Sequence, residues 1–273
     1  MTTTDTTAGP RPAVLNVRSL LVWGLLAGLV GGVLAFGFAE AFGERSVDAA
    51  IAIEERGAAA PTDDHGDGAG HSHDEGTASG HSHGDDGDEV ISREFQSTGG
   101  LAIGTLAYGL GLGGLFGLAF AFAYGRLGPA SPRGTAVALL GIGYTSVVLV
   151  PFLTYPANPP AVGNGDTIGQ RTGLFFLVIA VSLVLAVLAV VVGRKLVDRL
   201  GGWTAVLVAA LGYAVVMTVV AKLLPTIQEV PASFPAATLW EFRIASLGTS
   251  AVLWAGIAIA FATLLHRGLT KAR

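Results

Sequence analysis

The sequence predicts an all-α integral membrane protein of about six transmembrane helices, with both termini cytoplasmic and one long, disordered external loop. Three observations carry that expectation. Of the 273 residues, 51% are hydrophobic and only 13% are charged, about half the charge of an ordinary soluble domain. Six uncharged apolar runs each approach the roughly 20 residues that a bilayer span requires. Basic residues gather in alternate connections, as the positive-inside rule demands.

Residues 1–18 read as a polar cytoplasmic tail containing Arg11 and Arg18. The first span occupies 19–42; its apolar run is longer than the roughly 7–15 residues of a signal-peptide core, so a retained helix is expected. Residues 43–98 form an external acidic and His-rich loop. Its first part, Glu44–Glu55, suits a helix on which Glu44, Asp48 and Glu55 share one side. Its later part, 57–98, is too rich in Gly, Ala, Asp and His to pack a core, and reads as disordered without ligand. Residues 99–273 then hold five more spans, with apolar runs at 99–125, 134–153, 172–193, 200–221 and 244–265.

Orientation follows from charge. With the N-terminus inside, the cytoplasmic segments hold Arg126, Arg133, Arg194, Lys195, Arg199, Arg267, Lys271 and Arg273 besides the basic residues of the tail. Of the twenty acids, only Asp5 and Asp198 fall on that side. The expected location is the plasma membrane, crossed several times.

The sequence contains no cysteine, so any metal must be held by nitrogen and oxygen. Five of the six histidines lie between residues 63 and 89, among nine carboxylates. The candidate metal ligands are His65, His71, His73, Asp74, His81, His83, Asp85 and Asp86. In an extended chain, His71 and His73, or His81 and His83, point to one face and can reach one ion. Imidazole with carboxylate suits borderline divalent ions such as Co²⁺, Ni²⁺ and Zn²⁺. A long Gly-rich tether pays ordering entropy on binding, which predicts modest affinity and fast exchange. The alternative is a solvated acidic linker.

Two further external loops carry the other candidates. In 155–172, Asn158, Asp166 and Arg171 stand among prolines and glycines. Asp166 can pair with Arg171, hold a cation at a pore mouth, or simply cap the next helix. In 225–243, Glu229, Glu241 and Arg243 are the charges, and Trp240 and Phe242 fit an interfacial aromatic belt. With Asn158, Asp166 and Arg171, the acids Glu44, Asp48 and Glu55 complete the set of candidates for a translocation mouth. No acid or base lies deep within a span, so a path lined by hydroxyl, amide and backbone groups is expected rather than a carboxylate relay. Ser182, Thr218, Ser246, Thr249 and Ser250 can line it, or serve as glue between helices.

Three stretches resemble a known family. YPANPPAVGNGDTIGQRT, EVPASFPAATLWEFRIASLGT and GLVGGVLAFGFAEAFGERSVDAAIAIEE are similar to the corresponding segments of the CbtA family of proposed cobalt transporter subunits. The resemblance extends from Leu20 to about Leu265. It implies cobalt uptake linked to cobalamin biosynthesis and a small membrane partner of the CbtB type. The family signature falls on Glu44, Asp48, Glu54, Glu55, Asn158, Pro159, Pro160, Gly163, Asp166, Arg171, Pro235, Trp240 and Arg243.

The expected function is therefore uptake of a divalent metal cation, cobalt before nickel or zinc, with the His/Asp loop as capture device. The alternative is a non-transporting scaffold or metal-delivery subunit that activates a partner permease. The sequence has no phosphate-binding loop, no H-E-x-x-H and no dinucleotide fingerprint, so no enzyme and no permanently bound cofactor are expected. Hydropathy and the acidic loop exclude nucleic acid as a partner; the lipid bilayer is the expected surrounding.

Overall fold

A computed structural model describes residues 16–58, 95–126 and 131–271. Among these the chain is helical and contains no strand. Helix α1 spans Val17–Phe42 and α2 spans Glu44–Ala58. A π-helical turn, Phe95–Gly100, leads into α3, Leu101–Ala123. Next come α4 (Pro132–Tyr144), a second π-helical turn (Thr145–Leu149) and α5 (Val150–Thr154). A 3₁₀ turn, Gly165–Thr167, opens α6 (Ile168–Leu200), followed by α7 (Gly202–Leu223) and α8 (Ala236–Lys271). Six of the helical stretches are long and apolar enough to cross a membrane: Val17–Phe42, Thr98–Ala123, Pro132–Thr154, Gly165–Leu200, Gly202–Leu223 and Ala236–Thr270. The expected all-α, six-span architecture is present.

Glycine builds the centre of the bundle. On α1, Gly24, Gly28 and Gly32 recur every fourth residue, and on α3 Gly109, Gly113 and Gly117 do the same. One stripe per helix results, and the two stripes meet backbone to backbone. A Cβ added at Gly109 would stand 2.5 Å from the Gly28 carbonyl oxygen, and one at Gly32 would stand 2.9 Å from that of Thr105. In lipid no hydrophobic force drives helices together, so close backbone approach supplies the packing energy instead. Helix α8 closes the other side of α1, where Gly31 faces Leu253 and Ile257. Phe116, Phe120, Ile257, Phe261 and Leu265 fill the core between these three helices.

The remaining spans pack more loosely. Ser131 caps α4, its hydroxyl accepting from the Gly134 amide, and Pro132 takes the first-turn position that its missing N–H tolerates. The π-helical turn lies just ahead of Pro151, as expected where a proline interrupts the i→i−4 ladder. Helix α7 leans on α6 through a 2.7 Å hydrogen bond between the Ser182 and Tyr213 hydroxyls and through Gly193 against Ala209. Most of its apolar surface is open to lipid.

Two helices exceed the lengths expected from hydropathy. The apolar run 172–193 is the middle of α6, which continues through Arg194, Lys195 and Arg199 to Leu200. Hydropathy marks the membrane boundary, but only Gly201, at φ +76°, stops the helix. Likewise α8 starts directly after Pro235, so Trp240 and Arg243 sit on its first two turns rather than in a loop. At about 1.5 Å per residue both helices outrun a hydrocarbon core of about 30 Å. The segment 44–58, within the expected external loop, is helical.

Candidate functional site

Helix α2 and the loops 155–167 and 224–235 meet at one end of the bundle. Helix α2 caps this end. Its buried face carries Ser46 and Ala50, and Ala50 is fully enclosed against Val162 and Phe234, one from each loop. The opposite face of the same helix presents Glu44, Asp48 and Glu55, a placement that follows from spacings of four and seven. Asp48 and Glu55 are exposed, and Glu44 is half-buried. Glu54 lines a cleft of about 530 Å³ between α2 and the two loops.

The loop after α5 is ordered by its own turns. The Val162 amide donates to the Pro159 carbonyl, and Ala161 takes φ +65° in the tight reversal. Gly163 sits at φ +148°, where a Cβ would press to 3.0 Å on Arg171 Nη1. The absence of a side chain there leaves room for the Arg171 guanidinium. Asn164 caps the 3₁₀ turn, its Oδ1 accepting from the Asp166 amide at 3.1 Å. The Asp166 carboxylate is on the exposed rim.

Arg171 takes its carboxylate from the other loop. It forms an ion pair with Glu229, whose second carboxylate oxygen accepts from the Thr167 hydroxyl. The Glu229 side chain is 9% exposed and that of Arg171 33%. The Thr167 hydroxyl is the main reason that the Glu229 carboxyl is held below the ordinary carboxylate range; partial burial opposes this, and the Arg171 charge adds to it. A second tie crosses from α8: Arg243 donates from Nε to the Ala157 carbonyl at 3.2 Å and from Nη2 to Asn158 Oδ1 at 3.0 Å. The Tyr155 hydroxyl donates to the Pro225 carbonyl at 2.9 Å. The two loops are thus cross-tied to each other and to the start of α8.

Two cavities open beneath these ties, and their charges differ. The larger, about 660 Å³, includes Arg171, Glu229 and Arg243 in its lining. The smaller, about 320 Å³, lies at the elbow between α1 and α2, and among the described residues Glu44 is the charged one in its lining. Hydroxyls of Thr105, Tyr108, Ser246, Thr249 and Ser250 surround that carboxylate's cavity. Tyr108, Ser246 and Ser250 line both cavities, so one thin wall separates them.

Among the candidate residues, Asn158 and Arg171 meet around the larger cavity, Glu44 heads the smaller one, and Asp48, Glu55 and Asp166 stand outside both. His65, His71, His73, Asp74, His81, His83, Asp85 and Asp86 lie outside the described residues. Among the described residues no three His, Cys, Asp or Glu side chains cluster closely enough to hold a metal ion. Glu229 was not singled out as a site residue by the sequence, because its partner Arg171 is 58 positions away and Asp166 is the nearer acid.

No curated protein and no solved structure matches the chain. A family model does, described as "Probable cobalt transporter subunit (CbtA)", and it covers residues 17–266, nearly every residue described above. With six spans, cross-tied loops at one end and this match over most of its length, the chain belongs to the CbtA family.

Proposed function

We propose that the chain is the membrane-embedded subunit through which a divalent metal cation, cobalt foremost, is taken up across the plasma membrane. The observation that carries this reading is the cavity headed by Glu44. Glu44 brings a carboxylate to this cavity, and the hydroxyls of Thr105, Ser246 and Ser250 in the same lining can replace part of a cation's hydration shell. Membership of a transporter-subunit family supports the same direction. By the positive-inside rule this end faces outward, and the histidine-bearing segment follows α2 in the sequence. Those histidines and their neighbouring aspartates capture metal and raise its local concentration. Glu44 receives it, and the path inward runs past Thr105, Ser246 and Ser250. The ion is cargo, not a resident cofactor: its coordination bonds exchange on passage while no covalent bond of a substrate is made or broken, so the proposed role is transport rather than catalysis.

A second reading keeps the capture step and gives transport to a partner, such as a small CbtB-type membrane protein. It is favoured by the family description, which names a transporter subunit. Radiolabelled Co²⁺ uptake by the purified chain in proteoliposomes, in competition with Ni²⁺, Zn²⁺ and Cu²⁺, separates the two. Saturable uptake that Glu44→Gln reduces at least tenfold supports transport by this chain. No flux without a partner leaves it a delivery subunit.

A further inference from the structure

The larger cavity has the wrong charge for a bare cation. Its charged lining residues are Arg171, Glu229 and Arg243, so one positive charge remains after the Arg171–Glu229 pair is closed. Arg243 has no carboxylate partner among the described residues; its Nε and Nη2 are spent on the Ala157 carbonyl and the neutral Asn158 amide. Those two bonds fix the guanidinium plane while leaving its net charge uncompensated. A guanidinium held in place by neutral acceptors is a preorganised receptor for a carboxylate, since little further side-chain freedom is lost when the anion docks. The volume fits the same conclusion. About 660 Å³ lies well inside the roughly 300–1,000 Å³ of small-molecule sites and is far larger than one ion needs. Thr172, Gln228 and Ser246 add neutral hydrogen-bonding groups to the lining.

We propose that this cavity binds a small carboxylate-bearing anion, either free or as the chelator of a divalent metal, with Arg243 as the anchor. The proposal deepens the metal-uptake reading and rests on it only for the chelate arm, in which metal reaches the bundle with its charge offset by carboxylates. The Glu44 cavity, one wall away, then lies within reach of metal released from that anion.

The test is isothermal titration of the purified full chain in nanodiscs with three probes: citrate alone, preformed Co²⁺–citrate, and Co²⁺ without chelator. Citrate should bind saturably, and Arg243→Gln should weaken it at least tenfold. Because Arg243 also ties the 155–158 loop to α8, Gln228→Glu is the second variant. It is nearly isosteric, touches no tie, and cancels the cavity's excess charge, so it should also weaken citrate at least tenfold. Tighter binding of Co²⁺–citrate than of citrate assigns the site to the chelate; equal binding assigns it to the free anion. Absence of citrate and chelate binding, or binding indifferent to both variants, overturns the proposal. Uptake of chelator-free Co²⁺ in proteoliposomes is scored separately. Its failure would sink the transport reading while leaving the anion site standing.

Discussion

Replacing Gly109 by alanine should destabilise the bundle, while the same change at Gly111, two residues along the same helix, should not. A Cβ at Gly109 would lie 2.5 Å from the Gly28 carbonyl oxygen and 3.0 Å from the Gly32 Cα, both backbone atoms of α1. Real Cβ contacts essentially never fall below 3.0 Å, so α1 and α3 must separate by at least half an ångström. Backbone cannot rotate away as a side-chain tip can, so the gap spreads along the stripe from Gly24 to Gly32. A gap of about 0.5–1 Å forfeits a quarter to a half of each dispersion contact it spans. Overpacking of this kind costs about 1–3 kcal/mol. At Gly111 an added Cβ meets nothing within 4 Å, and the only effect is the helix propensity of alanine, worth up to about 1 kcal/mol in its favour. The two variants should therefore differ by about 2 kcal/mol, read as the midpoint of SDS-induced unfolding by circular dichroism from mixed micelles. Coincident midpoints would refute the claim that backbone contact along this glycine stripe holds the bundle together.

Three other outcomes are expected. The tie at Glu229 should depend on pH: its carboxyl is held below the ordinary range, so the stabilisation is complete above the unfolded carboxylate pKa of about 4.3 and is lost as pH falls through the lower folded value. Proteolysis within 224–235 should accelerate as the medium is acidified through that window, and Glu229→Gln should be cleaved at the faster rate at neutral pH. Deleting residues 63–89 should raise the Co²⁺ concentration for half-maximal uptake while sparing the maximal rate, and an unchanged concentration dependence would make the segment a linker. Asp166→Asn, on the exposed rim, should shift that concentration dependence by no more than a few-fold and leave flux at saturating metal intact, as surface charges act on capture more than on passage.

The spans were legible because one property, apolar length without charge, decides them. Helix extents were not. Arg194, Lys195 and Arg199 end the apolar run but do not end α6, since charged residues are good helix formers and long side chains reach water from a helix end. The α2 helix was legible from Glu44, Asp48 and Glu55 sharing a side, yet its docking was not. The residue that anchors it, Ala50, has no distinguishing chemistry, and its partners Val162 and Phe234 are loop residues more than a hundred positions away. The cross-ties were hidden for the same reason. Asn158 and Arg171 stood out by residue type, but that Asn158 serves Arg243 and Arg171 serves Glu229 is decided by which loops α8 and α6 bring together.

Membrane potential distinguishes the species that crosses, because the field acts on net charge and not on metal identity. A bare dication moving inward gains about 2.3 kcal/mol per charge per 100 mV, or about 4.6 kcal/mol in total. With each 1.4 kcal/mol worth tenfold, an inside-negative 100 mV permits roughly a thousandfold accumulation. A neutral metal–carboxylate complex gains nothing from the same field, and an anionic one is opposed by it. On the proposed uptake reading, the hydroxyl-lined cavity headed by Glu44 takes the first species and the Arg243 cavity recognises the others. In proteoliposomes with a potassium diffusion potential, chelator-free Co²⁺ uptake should therefore climb steeply as the interior is made negative. If metal handed over from citrate crosses as the bare ion, its uptake should show the same steep dependence after citrate is added, with only the concentration dependence changed. A potential dependence that vanishes or reverses when citrate is present would show instead that metal and carboxylate cross together. The Arg243 cavity would then belong to the translocation path, and Glu44 would not be the sole inlet.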